Sequence, residues 1–318
     1  MSNSGKFIDS LIDEIREETE NEGFSDEVGL SEEELIRHIN DAVYRLHSKI
    51  IAQHPSVFIA EEEQDTTASV STYDIKSTAF LGNRIAQVEY SHDGTSDNYY
   101  PLDMTSLRRR NPGSLGTPSH YIRKSSQIVL VPTPRNSSGK IRISFTKRPM
   151  RMDKRRAQVK AVTLDSGTST ITNLEVNYVN GTSVDNTELL KYSYFTVVDK
   201  YGAIKMDNIK LSSIDSSASY DATITPDSTH TYETGETITT NDYLCAGRYA
   251  TTHLEFAESV ERYLRAYANW KVLKRDSSVD SAEAMQELIA MEQGIIDSYA
   301  ELTDDITFIP EINDDYGW

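Results

Sequence analysis

The chain has 318 residues, 37% hydrophobic and 26% charged, with 50 acidic against 32 basic side chains and a formal net charge of −18. That length predicts two domains, or one carrying a large insertion, and the charge content with 18 tyrosines argues for a folded rather than a disordered chain. One cysteine, Cys245, excludes an intrachain disulfide framework and a cysteine-built metal site, and no apolar run is long enough to span a bilayer. The N-terminus has no basic flank followed by an apolar stretch, so no secretory signal is expected and the chain reads as a soluble protein of a reducing compartment.

In chain order, Phe7, Ile8, Leu11, Ile12 and Ile15 form a stripe at helical spacing over residues 5–21, closed by Gly23. Ser31-Glu32-Glu33-Glu34 is a capping box, and Leu35, Ile39, Ala42, Val43, Leu46 and Ile50 then predict a long amphipathic helix stopped by Pro55. Residues 61–72 read as a polar connector. Strand patterns follow at 84–90, 119–123, 127–131 and 140–148, with a hairpin turn at Ser91-His92-Asp93-Gly94. Asp103 is placed as the cap of a short helix reaching Arg110. Residues 157–244 change character: Ser, Thr, Asn, Asp and Gly dominate, and short apolar alternations near 159–164, 171–176, 194–198 and 204–211 predict a small all-β sandwich or barrel. Helical pattern returns with Phe256, Val260, Tyr263, Leu264, Tyr267 and Trp270, breaks at Asp276-Ser277-Ser278, and resumes near Asp280 with Ala284, Leu288, Met291, Ile295, Tyr299 and Leu302.

A terminal helical hairpin needs an apolar partner, and the helices before residue 55 supply one. The expected fold class is therefore α+β: a discontinuous helical bundle of N- and C-terminal helices, a small flanking β-region and an inserted all-β domain. The expected boundaries are 1–156 with 245–303 for the helical core and its strands at 80–150, 157–244 for the insert, and 304–318 for an extended tail.

Charge is unevenly spread. Residues 1–65 hold 5 basic and 17 acidic side chains, whereas residues 105–160 hold 15 basic ones and a single acid, Asp153. Such a basic stretch faces a polyanion, docks on acidic neighbours, or pairs with the chain's own acidic helices. Catalytic patterns are missing. None of the seven histidines has the HxxxH spacing, and no GxxxxGK[ST], GxGxxG or GxSxG motif occurs. Cys245 sits in an apolar context that suits a buried thiol better than a nucleophile. The reading is no enzyme, no metal and no cofactor.

The order of features is informative. The helix SEEELIRHINDAVYRLHSKI precedes strands, then Gly116-Thr117-Pro118-Ser119-His120-Tyr121, then Ile128, Leu130, Pro132 and Pro134 at alternating positions. A strand ending in Pro149 and the helix ERYLRAYANWKVLKRD close the series. Over residues 30–55, 80–150 and 250–302 this resembles the head-to-tail adaptor (connector) proteins of tailed bacteriophages, and the β-insert departs from their minimal pattern. The resemblance implies a virion protein of the neck, assembled in the host cytoplasm as a ring, usually of twelve copies. Such a ring sits under the portal protein, extends the channel for double-stranded DNA without reading its sequence, and offers a platform to downstream tail or nozzle proteins; no membrane is involved. By that analogy Ile306, Phe308, Ile309, Ile312, Tyr316 and Trp318 of the tail dock on the portal. Arg108, Arg109, Arg110, Arg142, Lys147, Arg148, Arg151, Arg155 and Arg156 are then candidates to face a neighbouring subunit or DNA. The alternative is a tail or receptor-binding module whose inserted β-domain takes a carbohydrate through Tyr178, Tyr192, Tyr194 and Tyr232.

Overall fold

The computed structural model describes residues 7–21, 31–77, 79–94, 98–106, 114–164, 170–177, 189, 191–215, 222–226, 230–231, 238–254, 256, 259–275 and 281–304. Four helices lie among them: α1 (Ile8–Asn21), α2 (Glu32–Gln53), α3 (Ser259–Arg275) and α4 (Ser281–Asp304). Helix α2 starts where the capping residue dictates, with the Ser31 hydroxyl accepting from the Glu34 amide at 3.3 Å, and it ends at His54, one residue before Pro55. Ile39, Ala42, Leu46 and Ile50 on α2 are fully buried against Ile8 and Ile15 of α1 and Val260, Tyr263 and Leu264 of α3. Leu288 and Ile296 of α4 close the same core, so helices from the two ends of the chain form one bundle. The fold is α+β, as the alternation of patterns predicts.

Two four-stranded sheets stand beside the bundle. The first runs β1 (Ile59–Asp65), β10 (Lys140–Lys147), β3 (Phe80–Ser91), β4 (Tyr99–Pro101); the second runs β2 (Thr72–Asp74), β8 (Gln127–Val131), β7 (His120–Lys124), β5 (Asp103–Met104). They share one apolar layer in which Val88, Tyr90, Ile141, Ile143 and Phe145 of the first meet Tyr73, Tyr121, Ile128 and Leu130 of the second. The short strands β6 (Leu115–Gly116) and β9 (Thr133–Pro134) pair in parallel at its margin.

Three expectations change here. Residues 61–65 are not connector but part of edge strand β1, antiparallel to β10 with Glu63 opposite Arg142. Asp103 opens no helix; it lies in β5, parallel to β7, and residues 107–110 fall outside the described set. The strict alternation expected along β3 is interrupted: Gln87 faces Ser144 but Ile85 faces Phe145, a bulge at Ala86 that turns Ile85 to the core side with Val88 and Tyr90.

A third sheet is built from β12 (Ala157–Leu164), β13 (Thr170–Asn177), β14 (Tyr194–Val198), β15 (Ile204–Asp215), β16 (Ala222–Pro226), β17 (His230–Thr231) and β18 (Tyr243–Ala246). Its order is β12-β18-β14-β15-β16-β13-β17, and a further pairing of β12 with β13 closes six of the strands into an antiparallel barrel. Closure removes the free edges that short, polar strands would otherwise expose. Val159, Leu174, Val176, Phe195, Val197, Ile209, Ile224 and Leu244 fill the interior. The chain enters the barrel through β11 (Arg151–Met152) and leaves through β19 (Ala250–Thr251), which lie side by side in parallel.

Candidate functional site

The richest polar cluster lies where the barrel meets the N-terminal turn of α2. Asp153 is fully buried and Arg156 lies three residues on, so the turn between β11 and β12 aims both side chains into one space. The Arg156 guanidinium, 2% exposed, donates to Asp153 (Nε to Oδ2, 3.0 Å; Nη2 to Oδ1, 2.6 Å) and to Glu33 of α2 (Nη2 to Oε2, 3.1 Å). Asp153 also accepts the Ala246 amide of β18 at 2.6 Å, and Glu33 accepts the Tyr192 hydroxyl at 3.0 Å. Burial disfavours the Arg156 charge, but the bonds to Asp153 and Glu33 outweigh it and hold the pKa above its ordinary value; burial pushes the Tyr192 phenol up to about 12. Beside this, Lys154 pairs with Glu32 at 2.6 Å and depresses that carboxyl. Asn40 clamps the Met152 backbone, giving to its carbonyl and taking from its amide at 2.8 Å each. The cluster fixes barrel to helix.

Among the described residues, the basic residues singled out from sequence occupy separate places. Arg142 lies on the outward face of the first sheet, bound to Glu63 at 2.8 Å, near Glu89 at 3.7 Å and stacked on Tyr99 at 3.9 Å. Lys147 and Arg148 sit at the end of β10: their amides bond the carbonyls of Phe58 and Ala79, and Arg148 also reaches the Arg248 carbonyl at 3.2 Å. Arg151 runs beside Gly247 in the strand pair at the barrel's mouth. Arg155 is held between the Phe7 and Tyr243 rings, 4.1 Å from each centroid, and Arg156 is spent on the buried cluster. Arg108, Arg109 and Arg110 lie outside the described residues, as do Ile306, Phe308, Ile309, Ile312, Tyr316 and Trp318.

Of the four barrel tyrosines, Tyr178 and Tyr232 also lie outside. Tyr192 binds Glu33, and the Tyr194 ring lies 3.7 Å beneath the Arg248 guanidinium. Cys245 is fully buried, and burial raises its pKa well above the ordinary thiol value. Among the described residues no group of three or more His, Cys, Asp and Glu is placed to hold a metal, and no helix is long and apolar enough to cross a membrane.

Sequence reasoning missed a second buried polar group. Glu292 of α4, 1% exposed, accepts from Arg45 (3.1 Å), Lys49 and the Tyr263 hydroxyl (2.8 Å). Burial would raise its pKa, but these three donors reverse the shift and hold it below the usual carboxylate value. The signal was present: Glu292 sits four residues after Leu288 and three before Ile295, on the stripe assigned to the core.

A family model described as SU10 adaptor protein matches residues 8–187, which takes in α1, α2, both sandwich sheets and the first two barrel strands. No curated protein matches the chain.

Proposed function

The chain belongs to the SU10 adaptor protein family, phage head-to-tail adaptors, and from that membership we propose that it forms a ring, of twelve copies, beneath the portal. There it extends the channel for packaged DNA, presents a platform to downstream tail or nozzle proteins, and docks on the portal through Ile306, Phe308, Ile309, Ile312, Tyr316 and Trp318. The observation that carries the reading is the family match across the whole N-terminal helical and sandwich part. Charge supports it: a surface at −18 lets a polyanion slide, where dense phosphate neutralisation would hold it. The outward face of the first sheet fits that role, because Glu61, Glu63, Asp65 and Glu89 outnumber Lys140 and Arg142. A ring also needs two unlike faces on each subunit, and among the described residues Lys124, Arg135 and Lys160 of the basic segment are exposed and would meet an acidic neighbour there.

The purified chain mixed with its candidate portal ring and weighed by native mass spectrometry tests the reading. A complex with one adaptor per portal subunit, lost when residues 305–318 are deleted, is the expected result. A chain that ignores the assembled portal overturns it.

A further inference from the structure

Helices α1 and α4 both pack on α3, and between them the outer face of α3 floors a groove of about 250 Å³. Ala266, Trp270 and Leu273 form its apolar floor and Met291 one wall, while Arg262 and Arg265 lie toward the N-terminal end of α3. Arg265 is matched by Glu14 and Glu18 at 3.4 and 2.9 Å, whereas Arg262 is 74% exposed and meets Glu287, itself 61% exposed, at 3.3 Å. Lys271 and Lys274 stand over the Trp270 ring at 5.6 and 5.1 Å, so the floor has a cationic rim. Every basic residue after position 250 belongs to α3.

One segment of the chain has the opposite character. Residues 305–318, DITFIPEINDDYGW, carry four acids, no base and six large apolar side chains. They begin where α4 ends, at Asp304. From Asp304 back to Met291 is about 20 Å along the helix. Eight extended residues, from 305 to Ile312, cover about 26 Å. Ile312 therefore reaches Met291 if the chain reverses at the end of α4, and Tyr316 and Trp318 reach beyond it.

We propose that this groove is the docking site of the chain's own residues 305–318, with Phe308 and Ile309 bringing the chain back along α4, Ile312 on Met291 and Trp270, and the acids beside Arg262 and Lys274. The proposal goes beyond the adaptor reading and does not need it; where both hold, portal and groove compete for one segment, and the free chain keeps its apolar tail covered.

Two measurements on the full chain test it. The protein has two tryptophans, so Trp318→Phe leaves Trp270 as the reporter. Acrylamide quenching of Trp270 roughly doubles when Phe308, Ile309 and Ile312 are also changed to Ser, because the floor returns to water; unchanged quenching overturns the proposal. In a second variant, Glu287→Cys with Ile312→Cys, with Cys245 buried out of reach, mild oxidation gives an intrachain disulfide at monomer mass. A disulfide-linked dimer would assign the groove to another copy's tail, and no disulfide would leave the groove without this occupant; either overturns the proposal. Neither measurement contains portal, so failure here and failure of portal binding are separate results.

Discussion

Replacing Arg156 by methionine keeps most of the aliphatic stem and removes the guanidinium from the joint between α2 and the barrel. What remains sets the magnitude. Glu33 is 38% exposed at its side chain and can turn to water, whereas Asp153 is fully buried and keeps only the Ala246 amide as its side-chain donor among the bonds described above. Leaving one buried partner of an ion pair uncompensated costs about 3–5 kcal/mol, against a total stability of about 5–15 kcal/mol for an ordinary domain. Adding Asp153→Asn removes the stranded charge while the amide oxygen still accepts from Ala246, so the double variant should lie about 1 kcal/mol below the parent. Urea unfolding followed by far-UV circular dichroism gives the four corners of the cycle, and amide exchange at Ala246 reports the joint locally. A loss below about 1 kcal/mol for Arg156→Met, or a double variant as unstable as the single one, would refute the claim that Asp153 depends on Arg156.

Other outcomes follow from the same geometry. Glu292→Ala leaves Arg45, Lys49 and the buried Tyr263 hydroxyl without their acceptor and should cost about 3 kcal/mol, while Arg262→Ala, at an exposed pair, should cost under about 0.5 kcal/mol in the same urea assay. His47 is 2% exposed against Phe58, and burial lowers its pKa from 6.5 to about 4. The unfolded chain therefore takes the proton first, so stability is intact above pH 6.5 and falls as pH drops toward 4. Between pH 7 and 5 the loss is about 2 kcal/mol from this group, with His38 and His253 shifted in the same direction. His47→Gln should flatten that limb of a stability–pH curve; an unchanged slope would assign it elsewhere. Gly139→Ala would drive a methyl into the Tyr90 hydroxyl and to 2.8 Å from Thr66 Oγ1, and a midpoint shift equivalent to about 1–3 kcal/mol is expected.

How far the sequence carries is clearest at single elements. Helix α2 was legible because its cap, its stripe and its stop are all local signals, each within four residues of its partner. The barrel strands were legible as short alternations between turn residues. Strand β1 was not: Ile-Ala-Glu-Glu-Glu-Gln-Asp has poor strand propensity and becomes a strand because Arg142 and Lys140 of β10 stand opposite its acids. The candidate site divides the same way. A run of 15 basic residues with one acid is visible in the sequence, but charge alone does not say which arginines face outward. Arg155 and Arg156 are adjacent, yet one is held between two aromatic rings and the other is buried on Asp153.

The sequence by itself determined the fold class, the pairing of terminal helices and the adaptor resemblance, because periodicity and the order of segments are properties of the chain read along its length. Tertiary structure alone decided that the polar barrel closes on itself, with β12 paired to β18 and β13 to β16. It also decided that the isolated acid Asp153 anchors a joint and that Glu292 is a core residue. Those outcomes depend on contacts between residues tens to hundreds of positions apart, where burial turns an ordinary charge into one that must find a partner.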